Sequence, residues 1–170
     1  MLAPLSVRLC FTMDCIAFIG PSRNSSGRRD TMRRVDQLDV SYSTNENCCS
    51  VFAGVCKSRE LFEQYWEKEY DLLNDDCIGF EMGVDFGINT YDEDFAVMVL
   101  QKNLTSKIDE FVKGAEIFDI DALKRRYPDG LDRPYNAIIV LDRVVYDGPI
   151  REVQNETFGY FQFLGVFDSW

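Results

Sequence analysis

Apolar runs separated by acidic stretches predict alternating short strands and helices along residues 48–170. The run CCSVFAGVC at 48–56 combines β-branched and aromatic residues and is typical of a buried strand. Ser58 then offers an N-cap for a helix over RELFEQYWEKEY at 59–70. One face of that helix is apolar, with Leu61, Phe62, Tyr65, Trp66 and Tyr70. The rest is acidic and expected to face outward, with Glu60, Glu63, Glu67 and Glu69.

The chain continues with one ambiguous segment and one strand. The segment IGFEMGVDFGIN at 78–89 fits a short helix or irregular structure, because its glycines weaken either interpretation. Three carboxylates follow side by side, Asp92, Glu93 and Asp94. FAVMVLQ at 95–101 comes directly after them and predicts a strand. Charged side chains are costly to bury, so these three acids are expected either to be exposed to water or to serve a function.

Two further helices are predicted after this strand. In NLTSKIDEFVKGA at 103–115, Thr105 is the expected N-cap and a glycine ends the helix. Its core-facing residues are expected to be Ile108, Phe111 and Val112. DIDALKRRYP at 119–128 predicts a second helix, which Asp119 or Asp121 caps and a proline stops.

The last third of the chain changes to strands. YNAIIVLD at 135–142 predicts a buried strand, and RVVYDGPIREV at 143–153 contains a turn between two short extended pieces. TFGYFQFLGVF at 157–167 predicts an aromatic strand. The pattern indicates the α+β class. We expect a single domain with an N-terminal strand and helix, middle helices, and C-terminal antiparallel strands on one sheet.

Charge divides the chain into two parts. The formal net charge is -11. Residues 1–47 contain six basic and five acidic residues, a balance of +1, whereas residues 48–170 contain 12 basic and 24 acidic residues, a balance of -12. The first part also lacks sustained periodicity and is rich in Gly, Ser, Asn and Arg. We predict a poorly ordered leader over residues 1–47 and an α+β domain over residues 48–170.

The beginning of the chain is not expected to span a membrane, and a secretory signal is the less favoured interpretation of its apolar residues. Arg8 and Asp14 interrupt its apolar residues, and a spanning helix needs about 20 apolar residues in a row. Met13 and Met32 lie within the leader, so a mis-assigned start is one interpretation of it. The six cysteines form no C-x-x-C pair, which favours reduced thiols and a cytoplasmic location.

The lack of histidine narrows the chemistry that the chain can perform. It removes Ser/His/Asp and Cys/His nucleophiles together with the commonest metal ligand and proton shuttle. Neither a P-loop nor G-x-G-x-x-G is present, which argues against nucleotide binding by those motifs. The excess of acid argues against direct binding to nucleic acid or an anionic membrane, since both require a basic surface. We expect no metal, no cofactor and a basic macromolecular partner.

Two interpretations of the acids at 92–94 stay open. Asp92 and Asp94 lie on the same side of an extended segment, and two carboxylates about 5–10 Å apart can hydrolyse a glycosidic bond. A carboxylate-dependent hydrolase using this pair is therefore one alternative. The other is recognition, in which the acidic helix face, Asp75 and Asp76, and the three acids attract a basic protein. A third alternative is an acidic adaptor domain, which presents the same surface to other proteins.

Five segments of residues 48–170 together resemble the sequences of a known protein family. They are VFAGVCKSRELFEQYW, FEMGVDFGINTYDEDF, NAIIVLD, VYDGPI and FQFLGVF, and they span most of residues 48–170. This set resembles the immunity protein 22 family of bacterial polymorphic toxin systems, most specifically in the segment from Phe80 to Phe95. Met82 and Gly83 depart from the more polar residues that the resemblance leads us to expect there.

The resemblance implies an α+β protein, encoded beside a toxin gene, that binds and silences the toxin without chemistry of its own. Such toxin domains are often nucleases with basic substrate grooves, so it points to a nuclease-type partner and an inhibitor that mimics nucleic acid. The candidate contact residues are Asp85, Tyr91, Asp92, Glu93 and Asp94. Asp85 has a structural alternative, because an Asp before Phe-Gly can bond to nearby backbone amides and shape a turn.

Overall fold

The computed structural model describes residues 42–70 and 77–170. Its strands are β1 (Tyr42–Val55), β2 (Glu69–Tyr70), β3 (Cys77–Gly79), β4 (Ala96–Thr105), β5 (Tyr135–Tyr146), β6 (Glu152–Asn155) and β7 (Gly159–Asp168). Its helices are α1 (Arg59–Trp66), α2 (Glu81–Phe86), α3 (Ile108–Phe111) and α4 (Ile120–Arg126), with a 3₁₀ turn at Glu93–Phe95. The predicted α+β class is confirmed.

Parts of the sequence predictions lie outside the described residues. They concern residues 1–41 of the predicted leader and the acidic pair Asp75 and Asp76. Residues 42–47 form the beginning of β1, so this strand starts six residues before the apolar run that predicts it. The boundary between leader and domain stays a prediction. Within the two described ranges, no helix is long and apolar enough to cross a membrane.

Five strands form one antiparallel sheet in the order β4-β5-β1-β7-β6. β1 is the central strand, where Val51 pairs with Val140 of β5 on one side and with Gly165 of β7 on the other. The four strongest apolar runs of the sequence supply β1, β4, β5 and β7, which confirms the predicted strands. β2 and β3 pair with each other in a separate two-stranded ribbon.

Helices cover both faces of this sheet. Successive residues of a strand point to opposite faces, so Phe52 and Ile139 pack on one side while Val51 and Ile138 pack on the other. The first side is closed by α1, α2 and the segment up to Tyr91. The second is closed by α3, α4 and the residues between them. We call the first group the α1–α2 layer and the second the α3–α4 layer.

The predicted N-caps at Ser58 and in the Asp119/Asp121 pair are found in the structure. The Ser58 hydroxyl accepts the Leu61 amide at 3.2 Å. Of the two alternatives for α4, Asp119 is the cap and accepts the Ala122 amide at 2.9 Å. Both helices therefore begin where a short polar side chain satisfies an amide that the helix leaves free.

Helix α1 is shorter than the sequence predicts. It ends at Trp66, and the residues after it turn into β2. Of the predicted apolar face, Phe62 and Tyr65 are buried, whereas Tyr70 lies on β2 and is 45% exposed. The helical pattern continues in the sequence, but pairing of Glu69 with Gly79 in β3 takes these residues out of the helix. The prediction of Tyr70 as a core residue of this helix is therefore wrong.

The predicted helix at 103–115 is also shorter, and its predicted N-cap is wrong. β4 extends through Thr105, which pairs with Tyr135, and Lys107 occupies the N-cap position of α3. The Thr105 hydroxyl accepts the Lys107 amide at 3.1 Å and donates to Glu110 at 2.7 Å. Sheet pairing of a β-branched residue overrides the capping signal here. The predicted core residues of the segment, Ile108, Phe111 and Val112, are buried.

The ambiguous segment at 78–89 forms the end of β3, the six-residue helix α2 and a loop. Gly87 ends α2 in the left-handed conformation at φ 73°, which glycine adopts without strain. Met82 is fully buried, and a Cβ on Gly83 would stand 2.8 Å from the ring of Phe80. The two departures from the resemblance are thus explained, because both positions face the core rather than solvent.

Candidate functional site

Asp92, Glu93 and Asp94 form an exposed turn, which we call the acidic turn. Asp92 stands at its start, and its carboxylate accepts the backbone amide of Asp94 at 3.0 Å. The 3₁₀ turn then leads directly into β4. Three adjacent carboxylates repel one another least when water surrounds them, and a turn between two packed segments provides that exposure. All three side chains are accordingly exposed.

Tyr91, directly before the acidic turn, is anchored to the end of α1. Its ring is 5% exposed and packs edge-on against Phe80, with ring centroids 5.2 Å apart. Its hydroxyl donates to the backbone carbonyl of Trp66 at 2.8 Å. The Lys68 ammonium donates to the backbone carbonyl of Tyr91 and lies 4.3 Å from the centroid of its ring. Tyr91 therefore fastens the acidic turn to the core.

Glu93 is held more firmly than the acids on either side of it. The Tyr70 hydroxyl donates to a carboxylate oxygen of Glu93 at 2.8 Å. The Lys68 ammonium lies 3.6 Å from the same oxygen. These contacts draw Glu93 toward the α1–β2 connection, whereas Asp92 and Asp94 point into solvent with their charges less compensated. The acidic turn thus combines a fixed backbone with freely accessible carboxylates.

An open groove of about 760 Å³ borders the acidic turn. β1 contributes Tyr42 and residues 44–46 to its lining, β5 contributes residues 142–144, and the other lining residues are Lys68, Tyr70 and residues 90–95. Five of the lining residues are acidic, namely Glu46, Asp92, Glu93, Asp94 and Asp142. Such a groove favours a positively charged occupant.

A bulge between β1 and β5 shapes the groove. Thr44 pairs with Val144 and Cys49 with Asp142, so four residues of β1 lie opposite Arg143 alone. Arg143 has φ 62°, an uncommon value for a residue with a side chain, and its guanidinium lies 3.6 Å from the centroid of the Phe95 ring. The bulge takes residues 45–48 of β1 out of regular pairing with β5 beside the acidic turn.

Asp85, the remaining acidic candidate, lies away from the acidic turn on α2. Its carboxylate accepts the Tyr65 hydroxyl at 3.0 Å and the side-chain amide of Asn155 at 3.1 Å. The donors come from α1 and β6, so Asp85 ties three elements together instead of binding the nearby amides of its own turn. Burial raises the pKa of Asp85, although the two hydrogen bonds oppose that shift.

We expect Asp85→Asn to keep or slightly raise the free energy of unfolding at pH 7, because its amide oxygen accepts the same hydrogen bonds without a buried charge. Asp85→Ala leaves two donors unpaired and is expected to lower that free energy by about 1–3 kcal/mol. Urea unfolding of both variants and the wild type measures the difference. An Asn variant as unstable as the Ala variant would contradict this role.

Asp85 also makes the free energy of unfolding depend on pH, and Asp85→Asn removes this dependence. Because the folded pKa of Asp85 is raised above its ordinary value of 3.8, the native state keeps a proton that the unfolded state has released. The contribution of Asp85 to stability is therefore present at low pH and lost as the pH rises from 3.8 through the folded pKa. Subtracting the pH profile of Asp85→Asn from that of the wild type isolates this slope.

The acidic charge is concentrated in one part of the fold. The described residues 57–70 and 77–95, which form the α1–α2 layer and its connections, contain nine acidic and three basic residues, a balance of -6. Residues 96–170 contain twelve acidic and nine basic residues, a balance of -3. The acidic turn and its groove thus belong to the more negative side of the molecule.

Sequence reasoning missed Lys68 and the contacts that it makes with the acidic turn. The signal was present, because Lys68 is the only basic residue between Arg59 and Lys102. Its contacts with Tyr91 and Glu93 join residues 23 and 25 positions apart, respectively, which no local pattern reveals. Of the five candidate residues, the structure brings Tyr91 and the three acids together and places Asp85 elsewhere.

The fold and this site define a small α+β protein with an open, acidic groove on one layer. The family model described as Immunity protein 22 matches residues 49–169, and the chain belongs to that family. Membership in an immunity-protein family indicates a toxin-neutralising role. No curated protein and no solved structure matches the chain.

Proposed function

We propose that this chain neutralises a cognate bacterial toxin by binding it through the α1–α2 layer, with the acidic turn and the adjoining groove at the centre of the contact. The toxin is expected to be a basic domain of the nuclease type. The chain acts by occupying the toxin surface in the cytoplasm of the producing cell and needs no cofactor. The observation that carries this proposal is the exposure of three carboxylates on an anchored turn at the rim of an open groove.

Fixed and exposed charge suits recognition of a basic protein. A field of one sign over one face accelerates encounter and orients the partner before contact. Because the backbone of the acidic turn is anchored by Tyr91, little conformational freedom is lost when a partner binds to it. The groove beside the turn offers room for a lysine or arginine side chain, which nearby carboxylates and tyrosine rings can bind.

A basic substrate groove in the toxin would complete this arrangement. Nucleases hold the phosphates of their substrate with lysine and arginine side chains. An inhibitor that places carboxylates where those phosphates lie would block the groove without touching the catalytic atoms. Asp92 and Asp94 are the leading contacts in this scheme, with Glu93 beside them and Asp85 and Tyr91 supporting the layer from within.

The hydrolase alternative is less well supported by the geometry. A carboxylate pair for hydrolysis needs an enclosed cleft in which at least one carboxyl group has a raised pKa. Asp92 and Asp94 are exposed beside an open groove instead. Among the residues that the structure describes, burial raises the pKa of the Asp85 carboxyl group, whose oxygen accepts hydrogen bonds from Tyr65 and Asn155. Exposure of the acidic turn therefore favours binding over catalysis.

The proposal is tested with the double variant Asp92→Asn, Asp94→Asn and the toxin domain encoded beside this chain's gene. Asparagine is as good an N-cap as aspartate, so we expect the fold and melting temperature to be retained. Removal of two charges is expected to slow association about five- to tenfold at low salt and to flatten its salt dependence. Stopped-flow or surface plasmon resonance measures both quantities.

A matched control removes the same charge from the other side of the sheet. Asp121→Asn, Asp129→Asn changes two exposed acids in and after α4 and leaves the same net charge of -9, two units above -11. We expect association with the toxin domain to change less than about twofold in this variant. If the acidic-turn variant binds and protects like the wild type, the acidic turn does not contact the toxin.

A further inference from the structure

Lys68 carries a buried positive charge within an acidic stretch of the α1–α2 layer. It is the only basic residue between Arg59 and Lys102, a stretch that holds twelve acidic residues. A lysine in such a stretch is expected on the surface, since lysines are almost never buried. Its side chain is nevertheless only 6% exposed. A buried ammonium group needs several compensating contacts, so those contacts indicate its role.

All the described contacts of the ammonium converge on the acidic turn and the residue before it. The Lys68 ammonium donates to the backbone carbonyl of Tyr91 and faces the ring of the same residue at 4.3 Å. It also lies 3.6 Å from the Glu93 carboxylate. Lys68 thus holds the backbone immediately before the acidic turn and one side chain within it. The other two acids remain outside its reach and exposed.

We propose that Lys68 is a positioning residue for the toxin-binding surface, whose buried ammonium fixes the acidic turn so that Asp92 and Asp94 face the partner. The part of this inference that concerns the partner rests on the proposed function. Lys68 borders the groove, but its ammonium is directed at the Tyr91 carbonyl and the Glu93 carboxylate, so it acts through these two residues. The one cation of the stretch therefore orders the acids without screening them at the surface.

A positioning role and a purely electrostatic role predict opposite results when this charge is removed. Neutralising Lys68 changes the net charge from -11 to -12, which by itself strengthens attraction to a basic toxin. It also releases the Tyr91 carbonyl and Glu93, so that the acidic turn must be ordered again during binding. Positioning thus predicts weaker binding, and charge alone predicts tighter binding.

The test compares Lys68→Met with Lys68→Arg in the full chain. Methionine keeps an unbranched apolar stem in the buried site, and arginine keeps the positive charge and its donors. Amide hydrogen exchange of residues 92–95 is measured in the free protein. Affinity is measured by calorimetry with the toxin domain encoded beside this chain's gene. Thermal unfolding establishes that each variant is folded.

We expect Lys68→Met to exchange about tenfold faster at residues 92–95 and to bind the toxin domain about tenfold more weakly, while Lys68→Arg recovers most of both. Glu93→Gln provides a second variant at the exposed end of the same contact, where the fold is not at risk. Its exchange is expected to be faster by about threefold, because only one of the Lys68 contacts is lost.

Three results would overturn the inference. Unchanged exchange at residues 92–95 in Lys68→Met would show that the lysine does not hold the acidic turn. Tighter toxin binding by Lys68→Met would show that it acts through charge alone. Faster exchange with unchanged toxin affinity would place the acidic turn outside the interface, and this result identifies a failure of the proposed function rather than of the Lys68 contacts.

Discussion

Phe52→Ala is expected to lower the free energy of unfolding by about 3–5 kcal/mol, because the cavity left behind cannot close. Phe52 is 1% exposed on the central strand β1. Its ring centroid lies 5.0 Å from that of Phe86, 5.2 Å from that of Phe163 and 5.6 Å from that of Tyr146. These rings belong to α2, β7 and β5, so one truncation loosens three elements together. The melting temperature should fall by on the order of 10 °C.

Leu104→Ala is the control for this prediction. Leu104 also lies on a strand of the sheet, but its side chain is 54% exposed on β4. Its removal is expected to change the free energy of unfolding by less than about 0.5 kcal/mol. Urea unfolding monitored by circular dichroism measures both variants. A loss of less than about 1 kcal/mol in Phe52→Ala would mean that the aromatic side chains around it can repack, contrary to a rigid core.

The strands were the most predictable part of this fold. The runs at 48–56 and 135–142 are continuous and largely apolar, and they form the central strand and its neighbour. Their lack of alternation reflects a sheet that helices cover on both faces. The order β4-β5-β1-β7-β6 was not predictable, since it depends on pairing between residues far apart in the sequence.

Predictions failed where tertiary pairing competes with a local helical signal. Thr105 has the features of an N-cap, yet it pairs with Tyr135 and extends β4. Tyr70 continues the apolar stripe of α1, yet the β2–β3 ribbon removes it from the helix. Both segments are short and polar, so a few strand hydrogen bonds outweigh the preference for helix.

The charge and exposure of the acidic turn were predictable from the sequence, whereas the contacts that anchor the turn were not. Adjacent carboxylates are too costly to bury, which predicts exposure of Asp92, Glu93 and Asp94. The anchoring of Tyr91 by Trp66 and Lys68 depends on contacts across more than 20 residues, which the sequence does not show. The position of Lys68, a single lysine within a long acidic stretch, is the signal that could have identified it as one of the two residues that anchor Tyr91.

The sheet separates two surfaces of different charge. The α1–α2 layer and the α3–α4 layer lie on opposite faces, and packed layers stand about 10 Å apart, which places the two outer surfaces on the order of 20 Å from each other. The Debye length is about 8–10 Å at physiological salt. Charges on the α3–α4 layer are therefore largely screened from a partner that approaches the α1–α2 layer.

This separation leads to the largest expected effect on binding. Glu63→Lys, Glu67→Lys reverses two exposed charges, one on α1 and one directly after it, and is expected to slow association with the toxin domain about 10- to 100-fold at low salt. Lysine and glutamate have similar helix propensity, so the fold is expected to persist. Loss of the exposed pair between Arg59 and Glu63, 3.9 Å apart, costs little stability. Stopped-flow association at several salt concentrations measures the effect.

The control reverses Asp121 and Asp129, which are exposed in and after α4. Each double reversal changes the net charge from -11 to -7, so the two variants differ only in where the charge changes. If the α1–α2 layer attracts the toxin, the α4 variant should associate within about threefold of the wild type at physiological salt. Equal slowing in both variants would mean that total charge governs the encounter. In that case the toxin has no preference for the layer that carries the acidic turn.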